Sequence, residues 1–530
     1  MTAVLLAVPG TQAVSDSVAT KPMARPAWRW PWVMSAALFV QYSLVGAWLL
    51  SDRQYAIGDS IARTLNAQVM VLSRDPHLGA MGFYWMPLPM LIRIPFVLLL
   101  APFQSQVYAG PLSTALLAAL VIPVLARIAA ELGLGTATTA ALVVVYAFNP
   151  VTLFSAANAM SEAAFALFLA LTFLGLIRYG NDGNVRSLSL LGVALAGGML
   201  SRIEFIPITL AAVASCMLLT ARDRWRRIAA MIALPPLAVF VAWSFASQLI
   251  TRDALYWYHE AKKSGATPAI HPWMPAALTP VSVAGYVGFL ALVVAPVIPV
   301  ALGIALVRWR EWRRTLGLAM VLGTIPAFVA LQLLLRSSWG NPRYFAVLPL
   351  GACVLAMWAL ALARRWAVHA QMGLAFLLTV MGVAGAGAAT YAYSDPIRTS
   401  IESESVFFSA ITGRPQPDYP RRFDQLRPLI GFLDPQLAKG KVAVIDTRGG
   451  FPLLMSAHPQ QFIVPEDRDF EQIMADPTDR FDYVVLPSVG LASRYQAVIQ
   501  GAMSAVEGGH FVLVKDYGAA TLWQFQPGSP

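Results

Sequence analysis

Apolar runs of about 20 residues recur along the first three quarters of the chain. That is the length a helix needs to cross the hydrocarbon core of a bilayer. In lipid, backbone amides must be satisfied within the segment itself, so helices are the expected spanning element. The alternating apolar and polar pattern of a membrane barrel is absent. Hydrophobic residues make up 57% of the 530 residues, charged residues only 12%, and mean hydropathy is +0.61. These values exclude an ordinary soluble globular protein and point to a polytopic α-helical membrane protein.

The net charge of +10 would suggest a nucleic-acid partner in a soluble chain. Here most Lys and Arg lie in short loops between apolar runs, where they set topology, and no nucleic acid is expected. The two cysteines, Cys216 and Cys353, fall inside apolar runs, so neither a disulfide framework nor a zinc motif is indicated. Residues 1–27 lack the basic and long apolar regions of a signal peptide and read as a flexible cytoplasmic tail.

"KPMARPAWRW" before the first apolar run is basic, which puts the N-terminus in the cytoplasm. Threading from there gives about eleven spans, the first at 32–50 and the last at 371–391. The basic clusters Arg222–Arg227, Arg308–Arg314 and Arg364–Arg365 then all fall on the inner side. The first outer loop is 51–110 and holds a short helix over 59–72. The run "IRIPFVLLLAPF" is broken by Pro95 and Pro102 and is expected to lie in or dip into the interface. A second large outer loop covers 251–275. The membrane part thus occupies 28–390.

Past Tyr391 the apolar runs shorten and Pro, Asp and Arg rise. Residues 391–420 read as a linker. "KVAVID", "DYVVLP" and "HFVLVKDYGAATLWQF" read as strands, the last a hairpin across Tyr517–Gly518. "RRFDQLRPLIGFLDPQL" before the first strand and "ASRYQAVIQGAMSAV" before the hairpin read as helices, and the alternation makes 421–530 a small soluble α/β domain on the outer side. "DTRGG" lacks the spacing of a dinucleotide loop.

Charges at membrane depth are costly and mark a buried pair or a function. Every outer turn contributes at least one. The first loop supplies Asp52, Asp59, Arg63, Asp75 and His77; later turns supply Glu162, Arg202, Glu204, His259, Glu260, Lys262, Lys263, His271, Arg336 and Arg343. A few carboxylates among many cations suit a phosphate-bearing, lipid-anchored substrate. Arg binds phosphate oxygens in bidentate fashion and Lys offers a point charge. A carboxylate can take the proton of an acceptor hydroxyl.

The layout resembles the GT-C superfamily of membrane glycosyltransferases, which includes protein O-mannosyltransferases, lipid A aminoarabinose transferases and mycobacterial arabinofuranosyltransferases. The matching stretches are "GDS" in the first outer loop, "FYWMPLP", "NAMSE", "LSRIEF" and "NPRYFAVLPLGA", in that order. The likeness covers roughly 32–391, and an outer C-terminal domain is common in that group. It implies an essential acid in the first outer loop; Asp52 and Asp59 both lie there, and Gly58 before Asp59 and Arg63 after it favour Asp59. Many members carry a second acid beside it; here Ser60 follows. The resemblance implies a multi-pass plasma-membrane glycosyltransferase with an extracytoplasmic site. Its donor would be a polyprenyl-phosphate sugar. Its acceptor would be a hydroxyl of a cell-wall glycan, lipid or protein, with Asp59 as the base of one inverting displacement. Substrate-binding roles then fall to Arg63, Glu162, Arg202, His259, Lys262, Lys263, Arg343 and Tyr344. This reading names no certain cofactor, and a divalent cation is left unsupported, since His77 and His271 have no metal-ligand spacing with any Cys or Asp cluster.

Each residue also has a plain structural reading. Asp59 can cap its helix, and Arg63 can be its i,i+4 ion-pair partner. Glu162 can serve the dipole of the helix it starts. Arg202 and Glu204 can pair across a tight turn. Lys262, Lys263 and His259 lie beside Tyr256, Trp257 and Tyr258, a pattern shared with interfacial anchors. The rival function is a transporter or flippase of a lipid-linked or anionic substrate. Such proteins place charges near the bilayer midplane and carry inverted repeats; here charges gather at one face and no repeat is visible.

Overall fold

The computed structural model describes residues 29–55, 58–265, 277–307, 311–336, 342–395, 402–414, 421–446, 451–477, 480–487, 495–506 and 509–527. The expected N-terminal tail, residues 396–401 and 415–420 of the linker, and His271 lie outside these residues; the stretch expected as linker carries a helix over Glu402–Thr412.

The chain opens with α1 (Arg29–Ser51) and α2 (Gly58–Leu72), followed by the short α3 (Leu88–Leu91) and α4 (Ile94–Leu100). Helix α4 has only seven residues, a rise of about 10 Å, far short of a span. The apolar helical stretch that holds it, Leu88–Phe103, is likewise shorter than a full span. Then come α5 (Ala109–Glu131), α6 (Thr136–Ala147), α7 (Pro150–Ala157), α8 (Glu162–Asp182), α9 (Val185–Met199) and α10 (Phe205–Leu218). The remaining helices of this part are α11 (Trp225–Thr251), α12 (Tyr256–Gly265), α13 (Pro280–Val294), α14 (Val297–Val307), α15 (Trp312–Leu334), α16 (Leu348–Leu362) and α17 (Val368–Tyr393).

Among the described residues, seven helical stretches are long and apolar enough to cross a membrane, or up to nine if each of two bent pairs is one span. The pairs are α6 with α7, bent by 63°, and α13 with α14, bent by 93°. The first bend has a local cause. Asn149 caps α7, its side chain accepting from the Val151 amide at 2.9 Å, and Pro150 starts the new helix. The expected eleven spans would also require α9 and α10, which have 15 and 14 residues and are shorter than a full span.

Helices apolar all round belong inside a bundle. The span containing α16 is 89% buried and that of α5 is 72%, against 22% for α11 and 28% for α17. So α5, α8 and α16 form the centre. Outer helices turn Leu44, Phe245 and Phe376 outward, where lipid would receive them. The turns sort into two ends. At one end Arg178 pairs with Glu131, Arg364 donates to the Leu132 carbonyl, and Arg314 donates to the Gly180 carbonyl. The 59–63, 158–162, 202–204 and 343–344 segments meet at the other.

The C-terminal part holds a five-stranded sheet: β1 (Ala443–Ile445), β2 (Phe462–Ile463), β3 (Tyr483–Pro487), β4 (Gly509–Asp516) and β5 (Ala520–Pro527). The order is β2-β1-β3-β5-β4, with β1 parallel to both neighbours and β5 antiparallel to both of its own. The hairpin turns at Tyr517–Gly518, and Gly518 takes φ +82° there. Strand β2 was not anticipated, since two residues carry no period.

This unit packs on α2. Ile61, Leu65 and Val69 share one buried cluster with Phe423, Leu426 and Phe451. Fully burying each such side chain contributes about 1.5–3 kcal/mol. Gln68 Nε2 donates to the Leu453 carbonyl at 2.9 Å, and Arg74 and Asp75 pair with Asp467, Asp469 and Arg468. Helix α2 is thus held between the bundle and the sheet domain, and its first residues emerge at the edge of both.

Candidate functional site

Asp59 lies in the first turn of α2, where an exposed Gly58 precedes it. Its partner is Arg343, in the short turn Pro342–Phe345 that leads into the central helix α16. Arg343 Nη2 donates to Asp59 Oδ2 at 3.3 Å. Burial by itself would raise the Asp59 pKa. The charges of Arg343 and Arg63, the Arg343 hydrogen bond and the charge of Arg202 together outweigh it and hold the carboxyl below its ordinary value. Asp59 is therefore an ionised carboxylate at neutral pH, with 37% of its side-chain surface open.

The i,i+4 ion pair expected between Asp59 and Arg63 is not formed. Arg63 is buried and turns elsewhere: Nη1 lies 3.6 Å from Met160 Sδ, and the guanidinium sits 4.6 Å from the centre of the Trp85 ring. Contact with an aromatic face suits a weakly hydrated guanidinium. Burial pushes the Arg63 pKa down to about 10, against the attraction of Asp59 and Glu162. Arg63 therefore acts on Asp59 through space and keeps its charge at neutral pH.

Glu162 starts α8 and is buried. Arg202 Nη1 donates to Glu162 Oε1 at 3.0 Å and to Ser161 Oγ at 3.2 Å. The same guanidinium donates from Nε at 3.0 Å and from Nη2 at 2.5 Å to Glu204 Oε1. The expected Arg202–Glu204 pair is present, and Glu162 joins it. Glu162 Oε2 is buried with no hydrogen-bond partner. Tyr344 stands between the two halves of the site, its ring centre 5.9 Å from Arg202 and 5.8 Å from Arg343. Asp59, Arg343, Tyr344, Arg202, Glu162 and Glu204 thus form one chain of contacts across four segments.

The α12 residues stand apart. His259 Nδ1 lies 2.6 Å from Asp253 Oδ2, with 51% of its side chain exposed. Lys262 is exposed; the side chain of Lys263 lies outside the described residues. Among the described residues no ion pair links His259 or Lys262 to Asp59 or its partners. What anchors α12 is apolar: Trp257 is buried against Phe240, in a cluster with Phe83 and Trp243. Among the described residues no three His, Cys, Asp or Glu side chains come together as a metal site requires.

Sequence reasoning missed Arg93. It is fully buried between α3 and α4, donating from Nη1 to the Ser60 carbonyl at 3.1 Å and to Thr64 Oγ1 at 3.3 Å, and from Nη2 to the Ala159 carbonyl. A signal was available: one arginine inside an apolar run is costly unless it serves something.

Chemically, the cluster offers one ionised and accessible carboxylate, three guanidiniums around it and two tyrosine or tryptophan rings. It can hold an oxyanion and accept one proton.

Residues 91–250 match the family model described as dolichyl-phosphate-mannose-protein mannosyltransferase. No curated protein matches the chain in sequence. Among solved structures, the chain is similar to ArnT from Cupriavidus metallidurans, bound to undecaprenyl phosphate. The two are 14% identical, with 94% of this chain and 98% of that one covered and a TM-score of 0.53. A second similarity is to the mycobacterial arabinofuranosyltransferase AftD, at 17% identity and a TM-score of 0.43. It covers 96% of this chain, which spans 42% of that one. The chain therefore has the GT-C fold that its sequence resembles, a multi-pass helical membrane part with a small C-terminal α/β region.

Proposed function

We propose that the chain is a glycosyltransferase that takes a sugar from a polyprenyl-phosphate donor. It passes that sugar to a hydroxyl of an extracytoplasmic glycan, lipid or protein. The observation that carries this reading is the Asp59–Arg343 contact, an ionised acid held by an arginine in a fold shared with a protein that binds undecaprenyl phosphate. The basic turns at the opposite end of the bundle are the cytoplasmic ones by the positive-inside rule. On this reading Asp59 lies outside, facing the outer leaflet of the plasma membrane.

The lipid phosphate needs cations, since it departs as a stable anion, and Arg343, Arg63 and Arg202 supply them. Binding phosphate draws Arg343 from Asp59 and leaves the carboxylate free. The acceptor hydroxyl, oriented against Asp59, gives up its proton to that carboxylate as its oxygen bonds the anomeric carbon. The bond from that carbon to the phosphate oxygen breaks with its electron pair on phosphate, and the configuration inverts. One base suffices for such a displacement, unlike the two carboxylates of glycoside hydrolysis. Lys262 is exposed on an aromatic-anchored helix, where it would meet lipid headgroups or the donor on its way in, and Lys263 follows it in the same helix.

The test is transfer by the full-length protein in nanodiscs, with a panel of polyprenyl-phosphate sugars and wild type set against Asp59→Asn. The expected result is transfer from one donor by wild type and a loss on the order of 10²–10⁴-fold in the variant, as for removal of a general base. Equal transfer by both proteins rules out Asp59 as the base.

A further inference from the structure

We infer that Arg93 is a positioning residue: its guanidinium ties Ser60 to Ala159 and so sets Asp59 and Glu162 at their working separation. This rests on the reading that Asp59 is the reacting base.

The two tied segments come from distant parts of the chain. Ser60 follows Asp59 at the start of α2. Ala159 lies three residues before Glu162, in the turn between α7 and α8. Arg93 reaches both, with Nη1 on the Ser60 carbonyl and on Thr64 Oγ1 and Nη2 on the Ala159 carbonyl. A planar guanidinium spans two backbones in this way; an ammonium, a compact point charge, does not.

A role in stability alone accounts poorly for this arrangement. Arg93 is fully buried, and among the described residues no carboxylate lies within ion-pair distance of it. Burying such a charge carries a desolvation penalty of several kcal/mol. A leucine or methionine would fill the space without that penalty. What an apolar residue cannot do is hold two carbonyls in fixed places.

The backbone at Ala159 is the second, independent observation. It adopts φ +59°, the left-handed region that a residue with a Cβ disfavours. Such a conformation persists where the surroundings over-determine it. Arg93 takes the Ala159 carbonyl from one side. From the other, Gly110 of α5 comes so close that a Cβ built on it would lie 2.7 Å from both Ala159 Cβ and Thr64 Oγ1. Asn158 closes the turn, its side chain accepting from the Met160 amide at 2.9 Å. Thr64 Oγ1 also donates to the Ser60 carbonyl at 2.9 Å, so both atoms that Arg93 Nη1 engages are already linked. A strained turn is thereby fixed against the helix start that bears Asp59.

The experiment uses full-length protein in nanodiscs and compares wild type, Arg93→Met and Arg93→Lys. Three quantities are read: kcat and KM for sugar transfer, equilibrium binding of undecaprenyl phosphate, and amide hydrogen exchange. In Arg93→Met, kcat should fall on the order of a hundredfold, the loss that a small misplacement of reacting groups brings. Undecaprenyl phosphate should bind as in wild type, because Arg93 is fully buried and its guanidinium is engaged with protein oxygens. Exchange should rise at residues 58–66 and 158–164 and not in the spans. Arg93→Lys should recover little of kcat, since one ammonium does not reach both carbonyls. Should Arg93→Met not fold, Thr64→Val removes one acceptor and should show the same signature more weakly. Unchanged kcat and exchange in a folded variant overturn the inference. So does a loss of lipid affinity in step with kcat, which would make Arg93 a phosphate ligand. If wild type transfers no sugar from any donor, the proposed function fails by itself. The exchange arm then still decides whether Arg93 holds the two segments.

Discussion

Arg343 is bonded to Asp59 across 284 residues of sequence, and this contact joins the first helix of the outer segment to the central helix of the bundle. It has a measurable electrostatic consequence. Burial raises the Asp59 pKa, while Arg343, Arg63 and Arg202 bring it below the ordinary value. A carboxylate with a lowered pKa stays ionised as pH falls through the usual carboxylate range. The acid limb of kcat/KM, which reports the free enzyme, is therefore expected below the ordinary carboxylate range. Arg343→Gln removes the largest lowering influence and leaves burial, so the limb should move to higher pH. The same sign holds for stability. The contribution of the pair is full above the unfolded carboxylate pKa and is lost as pH falls through the folded one. A limb that does not move in Arg343→Gln would show that Asp59 is not the group being titrated.

Arg202 should be far harder to replace than its exposed counterparts. It is 13% exposed and serves Glu162, which is 3% exposed. Arg202→Met leaves Glu162 as an uncompensated buried charge, and removal of one partner from such a pair costs about 3–5 kcal/mol. Burial lowers the Arg202 pKa, and Glu204 and Glu162 more than restore it, so the arginine is charged throughout the accessible range. Glu204→Gln keeps the Glu162 bond and should lose much less. Thermal unfolding of the two variants in detergent distinguishes them. Arg202→Lys should rescue little, because one ammonium cannot reach Glu162, Ser161 and Glu204 together.

The architecture was legible from apolar run length and from the shift in composition near residue 391. Asp59 and Arg343 were readable as candidates because charges beside apolar runs are few. Their contact was not, because it depends on how α2 meets α16. The i,i+4 spacing favoured Arg63 as the Asp59 partner, but Trp85 and Met160, brought in by other segments, compete for that guanidinium. Arg202 and Glu204 are two residues apart, so their pairing was a local matter. Glu162 joins them through the packing of α8 beside α10. Arg93 lies in a run whose prolines signal helix breaking, and its partners, the Ser60 and Ala159 carbonyls, meet it only through packing of distant segments. His259 and Lys262 lay in the right loop by sequence, yet Trp257 fixes the helix through its apolar face and leaves both outside the ion-paired cluster.

Gly110 should tolerate no side chain. A Cβ there would stand 2.7 Å from Ala159 Cβ and from Thr64 Oγ1, and neither neighbour is the free end of a flexible side chain. Gly110→Ala must push α5 away from α2 and from the turn before Glu162. Overpacking of this kind costs about 1–3 kcal/mol. The variant should melt earlier than wild type, with increased exchange at residues 158–162. Gly135, with open space around its would-be Cβ, is the control, and Gly135→Ala should melt as wild type does.

The contact between the sheet domain and α2 depends on Arg74. Its Nη2 lies 3.0 Å from Asp467 Oδ2, and the same guanidinium holds Asp469. Asp467 has no exposed side-chain surface. Burial raises its pKa despite the Val464 amide and the Arg74 charge. Arg74→Met leaves this carboxylate buried and unpaired, which is expected to cost about 3 kcal/mol. The deficit should depend on pH with a definite sign. A carboxyl whose folded pKa is raised takes up its proton more readily in the folded state. Stability is therefore regained as pH falls through that raised pKa, and the variant should lag wild type most near neutral pH and less in acid. Arg74→Met combined with Asp467→Asn should recover most of the loss, since the Asn side chain still offers an oxygen to the Val464 amide, 3.1 Å from Asp467 Oδ2. Limited proteolysis near residues 462–470, run at two pH values on the single and double variants, measures all three effects. Equal cleavage of Arg74→Met and wild type at neutral pH would show that the apolar contacts of Ile61, Leu65 and Val69 hold the domain without the ion pair.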